Sequence, residues 1–219
     1  MKFHYLVFFL SIAPLKGMSP EPAKYYAHAY AAPSQMKEEL DAAVAHSQFP
    51  HSESPSLRRT PTGSCSPDNI RSIKVGQYWV KRDITRLQGM ELIREAAQAK
   101  GCGSVIVPDQ HIYMRPDGVS FIVSEGIIEK KPQRFTQPLI KELYKVAKAT
   151  GYWDLNTNNI KVTSEGKVAF LDTQMLSFDE AIPSDKETKL TYLRHLYDLP
   201  LDQEADAYVL DKFTTTEAI

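Results

Sequence analysis

The sequence predicts an α+β fold in which strand hairpins and helices alternate along the chain. After residue 69, runs of β-branched and aromatic residues recur in pairs with turn residues between them, a pattern typical of antiparallel hairpins. Segments with apolar residues at helical spacing follow these pairs, which indicates amphipathic helices. Because the strands come in adjacent pairs rather than singly between helices, this order favours an α+β domain over a regular βαβ sheet.

The composition limits the classes of function. The chain has 219 residues, enough for one domain or one domain with an extension. Apolar residues make up 42% of it, which supports a packed core. The 26 basic and 27 acidic residues give a net charge of −1, which argues against broad electrostatic binding to nucleic acid. Two cysteines, Cys65 and Cys102, allow at most one disulfide and lack the spacing of a zinc site.

Residues 1–62 differ in texture from the rest of the chain. Lys2 precedes an apolar run of about a dozen residues, too short to span a bilayer and suited to the core of a signal peptide. We expect a signal peptide at residues 1–17 and a secreted protein; the alternative is a buried N-terminal strand. No other segment is a candidate membrane span. Residues 18–62 are rich in Pro, Ser and Ala, which predicts a linker or pro-region with one short helix around Gln35 to His46.

The next part of the chain predicts a hairpin, a helix and a second hairpin. "IRSIKVGQYWVKRDI" indicates two strands around a turn at Gly76–Gln77. "TRLQGMELIREAAQAKG" indicates a helix that stops at Gly101. Its apolar stripe consists of Leu87, Met90, Leu92 or Ile93, and Ala96 or Ala97. "HIYMRPDGVSFIVSEG" indicates a hairpin whose "RPDG" supplies the turn chemistry.

The last part predicts a helix, a hairpin and two closing helices. "QPLIKELYKVAKATG" is amphipathic, with Leu139, Leu143 and Val146 on one face. "IKV" and "KVAFLD" form a hairpin around the turn "SEG". "ETKLTYLRHLYDL" and "DQEADAYVLDKF" indicate the two helices that close the chain.

Three polar residues in this last hairpin region could carry chemistry. Asp154 lies in a polar loop, Asn159 begins the first strand, and Asp172 ends the second. The hairpin would bring Asn159 and Asp172 side by side, with Asp154 a loop's width away. Two oxygen ligands suit magnesium, which binds few protein ligands together with substrate phosphates, and a free carboxylate could deprotonate a hydroxyl. The alternative is structural: Asp154 would cap a helix end, and the other two would be turn residues.

The same region resembles the catalytic loop and metal-binding aspartate of the protein-kinase fold, which also houses small-molecule phosphotransferases. The resemblance lies in "WDLNTNNIKV" and "KVAFLD" and extends upstream over residues 63–174. "YWVK" resembles the strand with the phosphate-binding lysine, which nominates Lys81. Glu91, or Glu95 one turn on, would be its ion-pair partner. Gly63 would be the remnant of the glycine-rich loop.

The resemblance implies a role for each matching position. "FIVSEGI" resembles the strand that runs into the inter-lobe hinge, where backbone groups would read the adenine edge of ATP. The implied set comprises the catalytic base Asp154, the magnesium ligands Asn159 and Asp172, the phosphate contact Lys81, and the hinge residues Ser124, Glu125 and Gly126. Such a site works mainly by positioning and charge neutralisation.

The chain also departs from the kinase pattern. Tyr152 stands where the family has the histidine of its H-R-D triplet, and Thr173–Gln174 replaces Phe–Gly after Asp172. Asn156 occupies a position where many protein kinases have lysine. Only 47 residues follow Asp172, too few for a full helical lobe.

The resemblance therefore implies a two-lobed protein-kinase-like fold with a reduced helical C-lobe. The minimal domain would cover residues 63–219, with the N-lobe at about 63–126 and the C-lobe at about 127–219. It is similar to compact kinases secreted by host-associated bacteria, some of which act on a heat-shock chaperone. We expect a monomeric kinase that uses ATP and Mg²⁺ to phosphorylate Ser or Thr of a partner protein. The alternatives are a pseudokinase scaffold and an aminoglycoside- or choline-type small-molecule kinase.

Overall fold

The computed structural model describes residues 30–45, 73–81, 85–116, 118–178 and 186–217. These residues form a mixed α+β structure with two sheets, in agreement with the predicted α+β class. The expected signal peptide at residues 1–17 and Gly63 of the expected glycine-rich loop lie outside the described residues. Within the described ranges, no helix is long and apolar enough to cross a membrane.

The predicted helices and hairpins are present, together with one further strand. The helices of the described chain are α1 (Ser34–Ala45), α2 (Arg86–Ala99), α3 (Gln137–Thr150), α4 (Lys186–Tyr197) and α5 (Gln203–Glu217). The strands are β1 (Ile73–Val75), β2 (Tyr78–Lys81), β3 (Val105–Ile106), β4 (Gln110–Met114), β5 (Ser120–Glu125), β6 (Ile160–Val162) and β7 (Val168–Phe170). The sequence did not predict β3, because two residues are too few to show a period.

The first sheet has the strand order β1-β2-β5-β4, with every neighbouring pair antiparallel. The turn between β1 and β2 places Gly76 at φ +59°, a conformation that glycine adopts without steric cost. Side chains alternate between the two faces of a strand. Tyr78 and Val80 are therefore buried on one face, while Trp79 and Lys81 point to the other.

Helix α1 covers the Tyr78 face of this sheet. Its Met36, Leu40 and Ala43 are buried in one cluster with the sheet's apolar side chains, and their i, i+4, i+7 spacing makes one helical face. The Ile112 N–H donates to the Tyr30 carbonyl (2.6 Å) and the Ala32 N–H to the Ile112 carbonyl (3.0 Å). The short helix expected around Gln35 to His46 is therefore present as α1, and it buries an apolar sheet face that would be unfavourable in water. The other residues of the expected linker at 18–62, namely 18–29 and 46–62, lie outside the described residues.

The second sheet has the order β3-β7-β6 and lies in the main core with α2 and α3. β6 and β7 form the predicted antiparallel hairpin, and β3 pairs with β7 in parallel. On α2 the structure resolves the open alternatives, because Ile93 and Ala97 belong to the buried core. Gly101 ends that region at φ +63°, as predicted. On α3 the predicted face is buried: Leu139, Leu143 and Val146.

Candidate functional site

The β6–β7 hairpin brings Asn159 and Asp172 to the same end of the second sheet. Ile160 pairs with Phe170 in the strand register, and one step further the Leu171 N–H donates to the Asn159 carbonyl at 2.7 Å. The Asp172 side chain is 26% exposed, so its carboxylate is partly accessible. Asn159 therefore lies opposite Leu171, and Asp172 follows one residue beyond that partner at the same end of the sheet.

Asp154 is fixed beside this pair by two asparagines. The Asn159 side-chain amide donates to the Asp154 carbonyl at 3.2 Å, and the Asn156 side-chain amide donates to the Asp154 carboxylate. The Asn156 side-chain oxygen in turn accepts the Asn158 N–H at 2.8 Å. Sequence reasoning treated Asn156 only as a departure from the kinase pattern, whereas it orients the expected base.

Lys81 reaches the same place from the first sheet. Its Nζ donates to the Leu171 carbonyl at 2.7 Å, across 90 residues of sequence. Burial disfavours the charged ammonium and lowers the pKa of Lys81 from 10.5 to about 8. The nearby Arg86 charge lowers this pKa further, and the Asp172 charge opposes the shift. Lys81 and Asp172 are therefore electrostatic neighbours, although their expected roles depend on a nucleotide.

Glu91 does not form the expected ion pair with Lys81. It accepts a hydrogen bond from the Tyr30 hydroxyl, while the alternative partner, Glu95, is exposed. Arg86 and Glu91 are five residues apart on α2, which separates them by about 140° around the helix axis. Because Arg86 faces Asp172, Glu91 faces the N-terminal segment instead.

Arg86 is the site residue that sequence reasoning missed. Its guanidinium forms an ion pair with the Asp172 carboxylate and donates to the Gln174 side-chain oxygen at 3.3 Å. Its side chain is only 9% exposed. The sequence does not distinguish Arg86 from an ordinary surface residue, but it is the first residue of α2. A positive charge at a helix N-terminus interacts unfavourably with the helix dipole. That unfavourable position is the feature of the sequence that could have indicated a special role for Arg86.

The residues after Asp172 are held by buried hydrogen bonds. Thr173, fully buried, donates from its hydroxyl to the Arg86 carbonyl at 2.8 Å and accepts from the Gln110 side-chain amide at 2.9 Å. The backbone of Thr173 lies directly against α2, because a Cβ at Gly89 would come within 2.0 Å of the Thr173 carbonyl oxygen. The "TQ" departure from the kinase pattern is thus an ordered contact with α2.

Tyr152 supports Asp172 from the other side. Its hydroxyl donates to the Asp172 carbonyl at 2.7 Å, and its fully buried ring packs edge-on against Phe170 and Phe178. Burial raises the pKa of Tyr152 well above its usual value, so the hydroxyl stays protonated and remains a donor. The residue in the histidine position of the kinase pattern therefore anchors the backbone at Asp172.

The expected hinge residues are part of the first sheet. Ser124 pairs with Trp79 on one side and with Gln110 on the other, and Glu125 pairs with Tyr78. The Gly126 N–H donates to the Gln77 carbonyl at 3.2 Å. The Gly126 N–H therefore already has a backbone partner in this sheet, and an adenine contact through Ser124, Glu125 or Gly126 stays a prediction. The strand continues further than expected because β2 pairs along its whole length with β5.

The oxygen atoms that Asp172 and Asn159 offer are of the type that a hard cation such as Mg²⁺ binds. Asp172 offers a carboxylate and Asn159 an amide oxygen, and magnesium prefers such oxygen ligands. No group of three or more His, Cys, Asp or Glu side chains positioned for a metal occurs among the described residues. A cation here would therefore rely on few protein ligands, and Arg86 already pairs with one of them.

Comparisons with known proteins give no assignment: no family model matches the chain, and neither a curated protein nor a solved structure is detectably similar to it.

Proposed function

We propose that this chain is an ATP- and Mg²⁺-dependent phosphotransferase with a reduced, two-lobed protein-kinase-like fold. The contact that carries the proposal is the hydrogen bond from Lys81 Nζ to the Leu171 carbonyl. It joins a strand lysine of the first sheet to the residue before Asp172 at the end of a strand of the second. The kinase arrangement requires a lysine and an aspartate in this relation, because one contacts the nucleotide phosphates and the other the metal.

The order of elements along the chain supports the same proposal. A lysine strand (β2), a helix (α2), a hairpin (β4–β5), a helix (α3) and a loop with a hairpin (β6–β7) follow one another. Asp154 and Asn159 lie in that loop, and Asp172 follows its hairpin. These are the positions at which the kinase pattern carries its chemistry.

Each residue would contribute mainly by position and charge. Lys81 would bind nucleotide phosphate oxygens, and Asp154, oriented by Asn156, would accept the proton of the acceptor hydroxyl. Asn159 and Asp172 would hold Mg²⁺, which supplies charge neutralisation at the phosphates. Tyr152 would keep Asp172 in place through the backbone.

The acceptor in this proposal is Ser or Thr of a partner protein. The resemblance to compact secreted kinases favours a protein acceptor over a small molecule. The proposal also includes secretion, which the charged and apolar layout of the first residues predicts, and a host heat-shock chaperone as substrate, which the family resemblance implies.

One set of contacts favours a second candidate, a pseudokinase scaffold. Arg86 pairs with Asp172, and Glu91 contacts Tyr30 rather than Lys81. An active protein kinase needs both the lysine–glutamate pair and a metal-binding aspartate in place. In a pseudokinase scaffold, these two contacts would persist and would not be replaced by a Lys81–Glu91 pair and a bound metal.

The test uses the full chain with γ-labelled ATP, Mg²⁺ and two sets of acceptors, a heat-shock chaperone and small hydroxylated compounds. We expect label on protein Ser or Thr, lost in Asp154→Asn and kept in Asp198→Asn. The control carries the same substitution at an exposed aspartate after α4. Transfer to the small compounds alone would assign the small-molecule kinase instead. Absence of transfer, with no rise in melting temperature on adding nucleotide, would leave the scaffold.

A further inference from the structure

The Arg86–Asp172 ion pair joins the first residue of α2 to the end of the β7 strand region, 86 residues apart. The arginine side chain is 9% exposed and the aspartate 26%. The same carboxylate oxygen that faces Arg86 also accepts the Gln174 N–H at 3.1 Å. Asp172 is therefore paired with a cationic side chain and held by a backbone N–H.

The arginine is not fully satisfied in this arrangement. Its Nε is buried with no hydrogen-bond partner, and the same is true of the Gln110 side-chain oxygen, within the part of the chain that the structure describes. Buried donors and acceptors without partners are costly. The guanidinium is thus kept in place chiefly by the carboxylate, and it has an unmet preference for a further acceptor.

We propose that Arg86 is an internal counter-ion that competes with a divalent cation for the Asp172 carboxylate. This inference builds on the proposed function, since it concerns the same metal site. Two cationic groups at one partly buried carboxylate repel each other at short range. Each of them therefore weakens the binding of the other to the Asp172 carboxylate. A nucleotide would relieve the conflict, because phosphate oxygens are good acceptors for a guanidinium released from Asp172.

The competition has a direct consequence for the order of binding. A cation alone meets Arg86 at Asp172 and binds weakly. A cation together with nucleotide phosphates gives Arg86 a new partner and binds well. Arg86 therefore acts as a positioning residue that makes metal and nucleotide binding cooperative.

The first experiment measures the ion pair itself, without metal. Urea unfolding of the full chain in EDTA is followed for wild type, Arg86→Met, Asp172→Asn and the double variant. We expect a coupling of about tenfold or more in the unfolding equilibrium constant, since a largely buried pair loses much when one partner is left alone. The control cycle uses Arg94 and Asp109, an exposed pair that also involves α2, where coupling should be about twofold or less. Equal coupling in both cycles would overturn the proposal.

The second experiment titrates Mn²⁺ alone, by calorimetry, into wild type and Arg86→Met. The variant should bind Mn²⁺ about tenfold more tightly, because one competing charge has gone. Arg86→Gln provides a second neutral variant, should the first fail to fold as judged by circular dichroism. Unchanged or weaker Mn²⁺ binding in the folded variant would overturn the proposal. If no variant binds Mn²⁺, with or without ATP, the proposed function fails as well, while the cycle in EDTA still reports whether the ion pair is real.

Discussion

Lys81 should make the free energy of unfolding of this protein rise with pH, and the substitution Lys81→Met should remove that rise. The folded protein lowers the pKa of Lys81 from its ordinary value of 10.5 to about 8. The unfolded state therefore binds more protons between these two values, and stability must rise with pH there. Below about pH 8 the whole cost of keeping a charged lysine in this site is present.

The size of the effect follows from the shift. A difference of 2.5 pKa units, from 10.5 to about 8, corresponds to about 3.4 kcal/mol between the two plateaus. Between about pH 7.5 and about pH 9.5, before tyrosines ionise in the unfolded chain, the gain should be about 2 kcal/mol. We therefore expect the unfolding free energy of wild type to rise by that amount relative to Lys81→Met.

The assay is urea unfolding of the full chain, followed by tryptophan fluorescence at both pH values. Comparing wild type with Lys81→Met cancels the titration of every other group. Lys74→Met controls for the loss of an exposed lysine from the same sheet. A wild-type-minus-Lys81→Met difference that stays constant with pH would refute the argument, and with it the claim that Lys81 is desolvated beside Asp172.

Three further substitutions test the packing around the site by urea unfolding. Gly89→Ala places a Cβ 2.0 Å from the Thr173 carbonyl oxygen and should lower the free energy of unfolding by about 3 kcal/mol or more. The control, Gly103→Ala, places its Cβ where no atom lies within 4 Å and should change the free energy of unfolding very little. Equal effects of the two substitutions would contradict the close contact between α2 and Thr173. Tyr152→Phe leaves a buried carbonyl without its donor and should cost about 1–3 kcal/mol; no loss would mean that the hydroxyl is dispensable. Leu40→Ala should cost about 2–5 kcal/mol, and a neutral result would mean that α1 does not cover the sheet.

The sequence was sufficient for those features that depend on local pattern. The period of the β6 and β7 residues predicted the hairpin, and the hairpin register brings Asn159 and Asp172 to the same end of the sheet. The lysine strand was equally local, and alternation alone puts Lys81 on the face opposite Tyr78 and Val80. These predictions needed no knowledge of how distant segments pack.

The features that could not be predicted are long-range pairings. Arg86 meets Asp172 across 86 residues, and Tyr30 meets Glu91 across 61. Both depend on where α2 lies and how it is rotated, which periodicity does not determine. The expected Lys81–Glu91 pair was wrong for the same reason: the rotation of α2 directs Arg86, rather than Glu91, to the site.

The position of α1 determines which fragment of this protein can be studied. A chain cut at residue 63, the boundary that the kinase pattern suggests, would leave Tyr78, Val80 and the other buried side chains on that face in contact with water. Such a fragment should precipitate or fold poorly, and its inactivity would say nothing about the chemistry of the site. A usable recombinant fragment should therefore include residues 30–45, because trimming into them would expose the buried face of the first sheet.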